Sequence, residues 1–272
     1  MWDELKDKKD SSGFAFKQAI YSGCKNTDSG IGVYAGSHDS YTAFKSFFDV
    51  VIEDYHGHGP DDKHVANMDY TQLDCPAFSE EDDKMILSTR IRVARNLAAF
   101  PLGPAITNEQ RNEISDLVSG ALAEFDGDLA GSYYSLDTMS ADDQKQLVDD
   151  HFLFKEGDRF LEAANLNRDW PHGRGIFHNA AKTFLVWVNE EDQLRIISMQ
   201  SGSNIGEVFE RLSRAAAKIE ETSEFAKDEH IGYITSCPTN VGTGLRASVH
   251  IKLPLLGVDR EQFDQIADKY SV

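Results

Sequence analysis

The feature that most constrains the fold lies near the C-terminal end, where two strand-like runs flank a loop that contains two glycines. Residues 231–235 form the first run, residues 245–253 form the second, and residues 236–246 read Ser-Cys-Pro-Thr-Asn-Val-Gly-Thr-Gly-Leu-Arg. Gly242 and Gly244 let the backbone turn tightly and let a ligand approach it without meeting a side chain. A plain turn explains such a loop equally well, so the pattern predicts two strands joined by a loop and leaves its role open.

The charge balance makes clustered cations informative. The 272 residues include 46 Asp and Glu against 27 Lys and Arg, which gives a net charge of −19. Nucleic acid and anionic membranes are not expected to be main partners of so acidic a chain, because both would be repelled. An anionic small molecule would need a local positive site, which clustered arginines could supply. With 40% apolar residues, the chain is predicted to form a globular protein with a sizeable core.

Cysteine usage and the first residues indicate a location. Cys24, Cys75 and Cys237 are an odd and sparse set, typical of reduced thiols and not of a disulfide framework. Residues 1–10 are polar and charged, unlike a signal peptide, and no apolar run approaches the length of a membrane span. We therefore expect a cytoplasmic protein.

Residues 1–75 are predicted to be helical, because apolar side chains recur at helical spacing within residues 40–56. Ahead of that stretch, residues 28–34 form a loop with two glycines, which is either a plain connection or a substrate loop that uses its backbone groups. Residues 56–83 lack a period and are rich in Gly, Asp, His and Pro. Their histidines and carboxylates match no compact metal-binding spacing, so we predict a solvated linker.

A strand with two arginines follows at residues 85–93. Arg90 and Arg92 are two positions apart, so a strand would direct both to one face. Two adjacent guanidiniums repel unless an anion lies between them, and each can bind phosphate oxygens in a bidentate fork. A solvated polar face on an edge strand is the alternative. Arg95 lies near the end of the same strand.

The rest of the chain favours an antiparallel α+β arrangement. Thr107 and Gln110 form a capping box for a helix that reaches Phe125, and Ser140 is predicted to cap a second helix. Further strands are predicted at 173–177, 183–188 and 194–199, and further helices at 204–225 and, capped by Asp259, at 260–268. The residues after 268 read like the start of another strand.

Charged residues cluster at the hairpin between the last two of these strands. Its tip is Asn189-Glu190-Glu191-Asp192, and the second strand starts with Arg195. Acidic hairpin tips are usually solvated, but Glu191 could bind a cationic substrate and Arg195 an anionic one. His151, at the end of a predicted helix, is more typical of a structural residue.

Five motifs in order along the chain resemble those of the phosphagen (guanidino) kinase family, and they look most like the arginine kinases within it. They are Ser29 to Tyr34, Ser88-Thr89-Arg90-Ile91-Arg92, His151 to Phe160, Asn189-Glu190-Glu191-Asp192, and Cys237 to Gly244. The resemblance covers essentially the whole chain. It implies a small all-helical N-terminal domain over residues 1–75, and a larger catalytic ATP-binding domain over residues 85–272 with an antiparallel sheet flanked by helices.

The resemblance also implies a reaction and the residues that serve it. The family transfers the γ-phosphoryl group of Mg-ATP reversibly to a guanidino compound, expected here to be L-arginine. The implied nucleotide-binding positions are Ser88, Thr89, Arg90, Ile91, Arg92, His151, Arg195, Arg246, Ala247, Ser248, Val249 and His250. The implied substrate-binding positions are Ser29, Gly30, Ile31, Gly32, Val33, Tyr34, Glu191 and Cys237. Catalytic roles are implied for Glu191, Cys237 and Arg195.

These roles agree with the chemistry of the residue types. Phosphoryl transfer needs alignment and charge compensation, which four arginines can supply together with Mg²⁺ bound through the nucleotide phosphates. No protein ligand to the metal is predicted. A carboxylate at Glu191 would orient the guanidinium and accept a proton from it. We interpret Cys237 as a low-pKa thiolate that positions the substrate and is not a covalent nucleophile.

The substrate, the completeness of the catalyst and the oligomeric state leave alternatives open. Tyr55 and the short loop at residues 29–34 look like the arginine type, but residues 35–37 are less typical, which keeps taurocyamine or creatine possible. Family members are expected to start before Met1 and to extend past Val272, where a mobile loop carries a further arginine and a second carboxylate. A catalytically incomplete nucleotide-binding fragment is therefore the alternative, a protein arginine kinase is disfavoured by the helical N-terminal part, and a monomer or homodimer is expected.

Overall fold

The computed structural model describes residues 1–270 and contains one antiparallel sheet with the strand order β2-β3-β4-β5-β1-β8. Its strands are β1 (Ile86–Arg95), β2 (Gly131–Ser135), β3 (Gly175–Asn179), β4 (Phe184–Val188), β5 (Leu194–Ser201) and β8 (Leu245–Ile251). A separate short ladder joins β6 (Lys227–Asp228) to β7 (Gly232–Tyr233). Strand β1 therefore lies between β5 and β8, although about 100 residues separate it from β5 in the chain.

Helices form the N-terminal part and flank the sheet, which confirms the predicted fold class. They are α1 (Trp2–Leu5), α2 (Phe16–Ala19), α3 (Tyr21–Lys25), α4 (Ser40–Ala43), α5 (Lys45–His56), α6 (Glu80–Asp83), α7 (Asn108–Ala123), α8 (Ala141–Asp149), α9 (Arg159–Ala163), α10 (Ile205–Glu220) and α11 (Arg260–Tyr270). The predicted domain boundaries near residues 75 and 85 stay a prediction.

The predicted helix caps are confirmed. The Thr107 hydroxyl accepts a hydrogen bond from the Gln110 N–H (3.2 Å), and the Gln110 side chain accepts one from the Thr107 N–H (2.9 Å). Ser140 accepts from the Asp143 N–H (3.1 Å) and Asp259 from the Gln262 N–H (3.0 Å). Each cap satisfies a backbone donor that has no partner within the first turn of its helix.

The two faces of the sheet pack differently because successive side chains of a strand point to opposite sides. On one face, which we call the helix face, Ile91, Val93, Leu194 and Ile196 join a core with α7 and α10. On the opposite face, Ile176, Leu185 and Ile197 pack against residues 136–154 and their helix α8, but this cover does not include β1 and β8. We call this second face the arginine face.

Four boundaries differ from the sequence-based predictions. Residues 231–235 contribute only β7, because the Tyr233 N–H donates to Gly242 O (2.8 Å) and the Ile234 N–H to Ala226 O (3.0 Å), so the backbone is used in loop contacts. The helix at 40–56 is divided at Phe44, and strand β2 was missed. Residue 270 ends α11 instead of starting a strand, and residues 271–272 lie outside the described range. Within residues 1–270, no helix has both the length and the apolar character that a bilayer span requires.

Candidate active site

The register of three strands brings arginines from distant parts of the chain to one face. Arg92 of β1 pairs with Arg246 of β8, and Arg90 lies one pleat further along, opposite Ser248. On the other side of β1, Ala94 pairs with Arg195 of β5. Directly paired residues of antiparallel strands share a face, so all four arginines belong to the arginine face.

Three of these arginines line a cavity of about 570 Å³ between the sheet and the end of α5. The lining residues are Tyr55, His56, Arg92, Ala94, Arg195, Thr239, Asn240, Val241, Thr243, Gly244, Leu245 and Arg246. None of them is a carboxylate. The cavity therefore presents a concentrated positive charge in a chain whose net charge is −19.

Burial and the proximity of the arginines to one another perturb two of them. Burial, followed by Arg195 and Arg246, lowers the pKa of Arg90. Burial, followed by Arg195, Arg90 and Arg246, lowers the pKa of Arg92 to about 10. Both remain charged at neutral pH, so the cluster is held together against repulsion that a bound anion would relieve.

Arg195 connects this cluster to the acidic hairpin tip. Its Nη2 lies 3.1 Å from Glu190 Oε2 and 3.1 Å from Glu191 Oε2, and its guanidinium lies 5.3 Å from the centre of the Trp187 ring on β4. The side chain is only 12% exposed. These contacts fix the guanidinium between the two carboxylates and the arginine face.

Glu191 contacts two residues that line the cavity, Arg195 and Asn240. Besides its contact with Arg195, its Oε1 accepts a hydrogen bond from Asn240 Nδ2 (3.4 Å), and the side chain is 16% exposed. Burial, with Asp192 and Glu190 close by, raises the pKa of Glu191 to about 8 despite the opposing effect of Arg195. The free protein therefore holds Glu191 largely protonated at neutral pH, and a guanidinium brought against it would favour the anion.

Cys237 and Tyr34 lie on the other side of Glu191. The buried Cys237 thiol is 3.1 Å from the Thr239 hydroxyl, and it packs with Tyr34 and Leu166. Burial, followed by Glu191, raises the pKa of Cys237 to about 12. The low-pKa thiolate predicted from the sequence is therefore wrong for the free protein, in which the sulfur is a neutral thiol; its place beside Glu191 agrees with a positioning role.

The predicted substrate loop reaches this point through Tyr34. The Tyr34 N–H donates to Ala19 O (2.9 Å), and the next residue, Ala35, donates to Ser236 O (2.7 Å) just before Cys237. Gly32 needs to be glycine, because its φ is 67° and a Cβ there would lie 2.3 Å from Gly23 Cα. Val33 and Tyr34 are buried, whereas Ser29, Gly30 and Ile31 make no hydrogen bond to Glu191 or Cys237 within residues 1–270.

The pleat corrects part of the predicted nucleotide site. Thr89 and Ile91 point to the helix face, where the Thr89 hydroxyl donates to Gly202 O (2.9 Å) and Ile91 is in the core. Ala247 and Val249 pair with Ile91 and Thr89 and share that face. A strand directs only alternate side chains to one face, so these four cannot line the arginine face with their side chains.

The other predicted positions of these strands do lie on the arginine face. Ser88 pairs with His250, and the Ser88 hydroxyl is 3.0 Å from His250 Nδ1. The Ser248 hydroxyl donates to Arg90 O (3.3 Å). His250 is exposed, so its ring is free to contact a ligand that extends along β8 from Arg246.

His151 stands apart from the cluster. It is exposed in the turn after α8, with a left-handed backbone (φ 63°), and among the described residues its ring makes no hydrogen bond. The next residue, Phe152, accepts a hydrogen bond from Trp187 Nε1 (2.7 Å), and Trp187 lies under Arg195. Trp187 therefore contacts both this turn and Arg195. Contact between His151 and a nucleotide stays a prediction.

Sequence reasoning missed the residue that fixes the two catalytic loops to each other. Asp192 Oδ1 accepts hydrogen bonds from the Ser236 N–H (2.7 Å) and from Asn96 Nδ2 (2.7 Å), and its side chain is 3% exposed. These bonds hold the hairpin tip with Glu191 against the start of the Cys237 loop. The acidic motif contained the signal, but nothing in it distinguished the fully buried Asp192 from the partly buried Glu190 and Glu191.

Comparisons with known proteins agree in fold and sequence. The model of the ATP:guanido phosphotransferase C-terminal catalytic domain matches residues 113–272, and that of the N-terminal domain of the same family matches residues 1–53. An arginine kinase of Penaeus vannamei (Lit v 2) is 49% identical over 273 aligned residues, which cover 100% of this chain and 76% of that protein.

Two solved structures show the same architecture. A lombricine kinase superposes with a TM-score of 0.89 at 39% identity, covering 96% of this chain and 73% of that chain. A duplicated taurocyamine kinase of Schistosoma mansoni, with bound transition-state analogue components, superposes with a TM-score of 0.87 at 38% identity, covering 94% of this chain and 36% of that longer chain.

Proposed function

Because this chain belongs to the ATP:guanido phosphotransferase family, we propose that it transfers the γ-phosphoryl group of ATP reversibly to L-arginine, giving phosphoarginine and ADP. The chain is a phosphagen kinase, as the five motifs predicted, and arginine is the finer part of the proposal. The observation that carries the proposal is the meeting of the four arginines with Glu191 and Cys237 at one end of the sheet. The 49% identity to an arginine kinase supports arginine as the acceptor.

The arginines are proposed to hold the nucleotide phosphates. Arg92, Arg195 and Arg246 surround the cavity, and Arg90 continues the positive strip along β1. Their forks can bind phosphate oxygens in pairs, and their charge compensates the negative charge that moves with the phosphoryl group. Because strands and not loops carry them, their spacing is fixed before the ligand arrives, which favours in-line alignment.

Glu191 is proposed to orient the acceptor. A guanidinium has delocalised lone pairs and is a weak nucleophile, so a carboxylate that bonds two of its nitrogens can align one of them toward the γ-phosphorus. As that N–P bond forms and the bond to the ADP oxygen breaks, the proton leaves the attacking nitrogen for a Glu191 oxygen. Cys237 and Tyr34 pack beside this carboxylate, where they would confine the planar group.

The described residues fit a metal carried by the nucleotide. The cavity lining is cationic or neutral, and Glu190 and Glu191 are both engaged by Arg195. We therefore propose that Mg²⁺ binds through the phosphates of ATP, where it would neutralise part of their charge. We also propose a cytoplasmic location and a monomeric or dimeric state. The three free thiols agree with a cytoplasmic location.

The test is phosphorylation of free L-arginine by this chain with Mg-ATP, measured beside taurocyamine, lombricine, creatine and glycocyamine. We expect turnover with arginine to exceed that with the other guanidines. Taurocyamine and lombricine are the relevant competitors because the chain is similar to kinases for those two compounds. A preference for either would support the family reaction but contradict arginine as the substrate. Nucleotide binding without turnover on any guanidine would contradict the proposed reaction.

A further inference from the structure

The segment after α5 carries three histidines that bind the chain just before and just after Cys237. We call His56, His58, His64 and His230 the histidine clasp. His56 Nε2 lies 2.9 Å from Pro238 O, and His58 Nε2 lies 2.7 Å from His230 O. His230 Nδ1 lies 2.6 Å from Asp62 O. A carbonyl oxygen only accepts, so each of these ring nitrogens carries the hydrogen.

His64 fits against the base of the Cys237 loop. Its backbone N–H lies 3.1 Å from both Glu229 O and His230 O. A Cβ at Gly232 would lie 2.4 Å from His64 Cδ2, and one at Gly242 would lie 3.2 Å from His64 Cε1, so the ring rests directly on both glycines. Those glycines are at the point where the Tyr233 N–H bonds to Gly242 O (2.8 Å). The first part of the predicted linker, residues 56–64, is thus packed against the site, whereas most of residues 65–83 are exposed as predicted.

The position of His64 in the clasp disfavours its protonation. Within the described residues, His64 Nε2 is buried with no hydrogen-bond partner. The His58 ring is stacked on His230, with centroids 5.0 Å apart, and is 6.4 Å from the His64 ring. Burial, followed by His58 and His56, lowers the pKa of His64. Protonation of His64 would therefore place a charge on a half-buried ring whose Nε2 has no partner among the described residues, beside two further imidazoles.

Among residues 1–270, no carboxylate forms an ion pair with His64 that would offset that charge. Asp49 of α5 is 3.8 Å from His230 Nε2, and Glu229 is paired with Lys63 (3.1 Å) at the exposed rim. The charged and titratable groups around the clasp are Lys45 and Asp49 on α5, Asp62 and Lys63 in its own segment, and Asp228 and Glu229 in the facing loop. The cavity beside His64 is lined otherwise by Ile52, Ile231, Val241, Gly242 and Thr243.

We propose that the histidine clasp positions the Cys237 loop for the guanidino substrate, and that protonation of His64 in mild acid releases this loop. The positioning part rests on the proposed function, whereas the release does not. The closed form disfavours protonation of His64, whereas the open form gives it an ordinary histidine pKa of about 6.5. Acid therefore favours the open form, and the effect sets in as the pH falls through that value.

The direct test is amide hydrogen exchange at Asn240 and Gly242, whose N–H groups bond to Cys237 O (3.0 Å) and Ile231 O (2.8 Å). Between pH 7.5 and 5.5, a single histidine that stays neutral when closed raises the opening equilibrium about tenfold, after correction for the intrinsic exchange rate. We expect that rise in the native protein. It should fall below about twofold in His64→Gln, which keeps the backbone contacts and cannot be protonated.

Two further variants serve as a control and as a substitute for His64→Gln. His178→Asn, on β3, replaces a ring whose Nδ1 bonds to Asn179 O (2.9 Å) away from the clasp, and it should retain the tenfold rise. If His64→Gln does not fold, His64→Asn, which is smaller and also cannot be protonated, should lose the rise in the same way. A pH-independent exchange at both amides of the native protein would overturn the proposal.

Activity separates this proposal from the proposed reaction. Below pH 6.5, KM for arginine should rise at least threefold while KM for the nucleotide stays constant, and His64→Gln should flatten this dependence. Acid release seen by exchange with no turnover on any guanidine would refute the reaction and leave the release standing. Equal rises in both KM values would refute the positioning role.

Discussion

Replacing Glu191 with glutamine is expected to stabilise the free protein while removing most of its turnover. Burial and the neighbouring Asp192 and Glu190 raise the pKa of the Glu191 carboxyl to about 8 from an ordinary value of 4.5. The folded protein thus binds a proton that the unfolded chain releases. Stability is therefore lost as the pH rises from about 4.5 toward 8. Glutamine has the same shape and stays neutral throughout.

The size of the effect follows from the two pKa values. The penalty that glutamine removes is about 1 kcal/mol at pH 5 and approaches 4–5 kcal/mol at pH 8.5 as an upper bound. Since about 1 kcal/mol shifts Tm by roughly 2–4 °C in a chain of this size, a gain of several degrees at pH 8.5 is expected. Loss of the group that orients the guanidinium and accepts its proton should lower kcat by about 10²–10⁴.

Thermal scans at pH 5 and pH 8.5 and steady-state kinetics measure both parts. Glu190→Gln is the matched control, because Glu190 Oε2 lies at the same 3.1 Å from Arg195 Nη2, so the control changes the other carboxyl on the same guanidinium and leaves Glu191 in place. The nucleotide KM should change less than threefold in Glu191→Gln. An unchanged or lower Tm at pH 8.5 would refute the buried-carboxyl argument. Equal losses in kcat and nucleotide affinity would refute the role of Glu191 toward the acceptor.

Three other substitutions test the packing around the site. Arg92→Gln should raise Tm by about 2–4 °C without ligand, because it relieves repulsion in the cluster, and should raise the nucleotide KM at least tenfold; scans with and without ADP measure both. Arg95→Met removes bonds to two carbonyls (2.7 and 2.8 Å) and a cation–π contact (3.4 Å), and urea unfolding should show a loss of about 2–3 kcal/mol. Gly232→Ala should destabilise the protein by several kcal/mol, because its Cβ would meet the His64 ring at 2.4 Å, whereas Gly202→Ala, with similar φ and open space, should cost only about 1–2 kcal/mol by the same measurement.

The arrangement of the arginines could be predicted from the sequence only in part. Strand periodicity alone placed Arg90 and Arg92 on one face, and the same rule excludes Thr89 and Ile91, which were carried over with their motif. That Arg195 meets them depends on β5 pairing with β1 across about 100 residues. A local pattern contains no information on such a register, so the family resemblance had to supply it.

Two other features lay beyond local patterns for different reasons. The low-pKa thiol was inferred for a sulfur beside a cation, and it failed for the free protein because burial of Cys237 and the nearby Glu191 raise its pKa. Residues 56–64 have no period, and their order comes from hydrogen bonds to backbone carbonyls of residues 230 and 238, which any sequence would present. Helix starts were recovered well, since a cap such as Thr107 is set by its own side chain.

The placement of four arginines on one uncovered sheet face has a consequence for how long the protein survives in a cell. Without a bound anion, repulsion among these like charges lowers the free energy of unfolding. At a nucleotide concentration 100 times its Kd, binding adds about 2.7 kcal/mol to stability, which lowers the unfolded population about 100-fold. Proteases act on that population. If the proposed function is correct, the nucleotide concentration therefore affects the abundance of the enzyme as well as its rate. Prolonged depletion of ATP and ADP would then increase degradation of the enzyme that regenerates ATP.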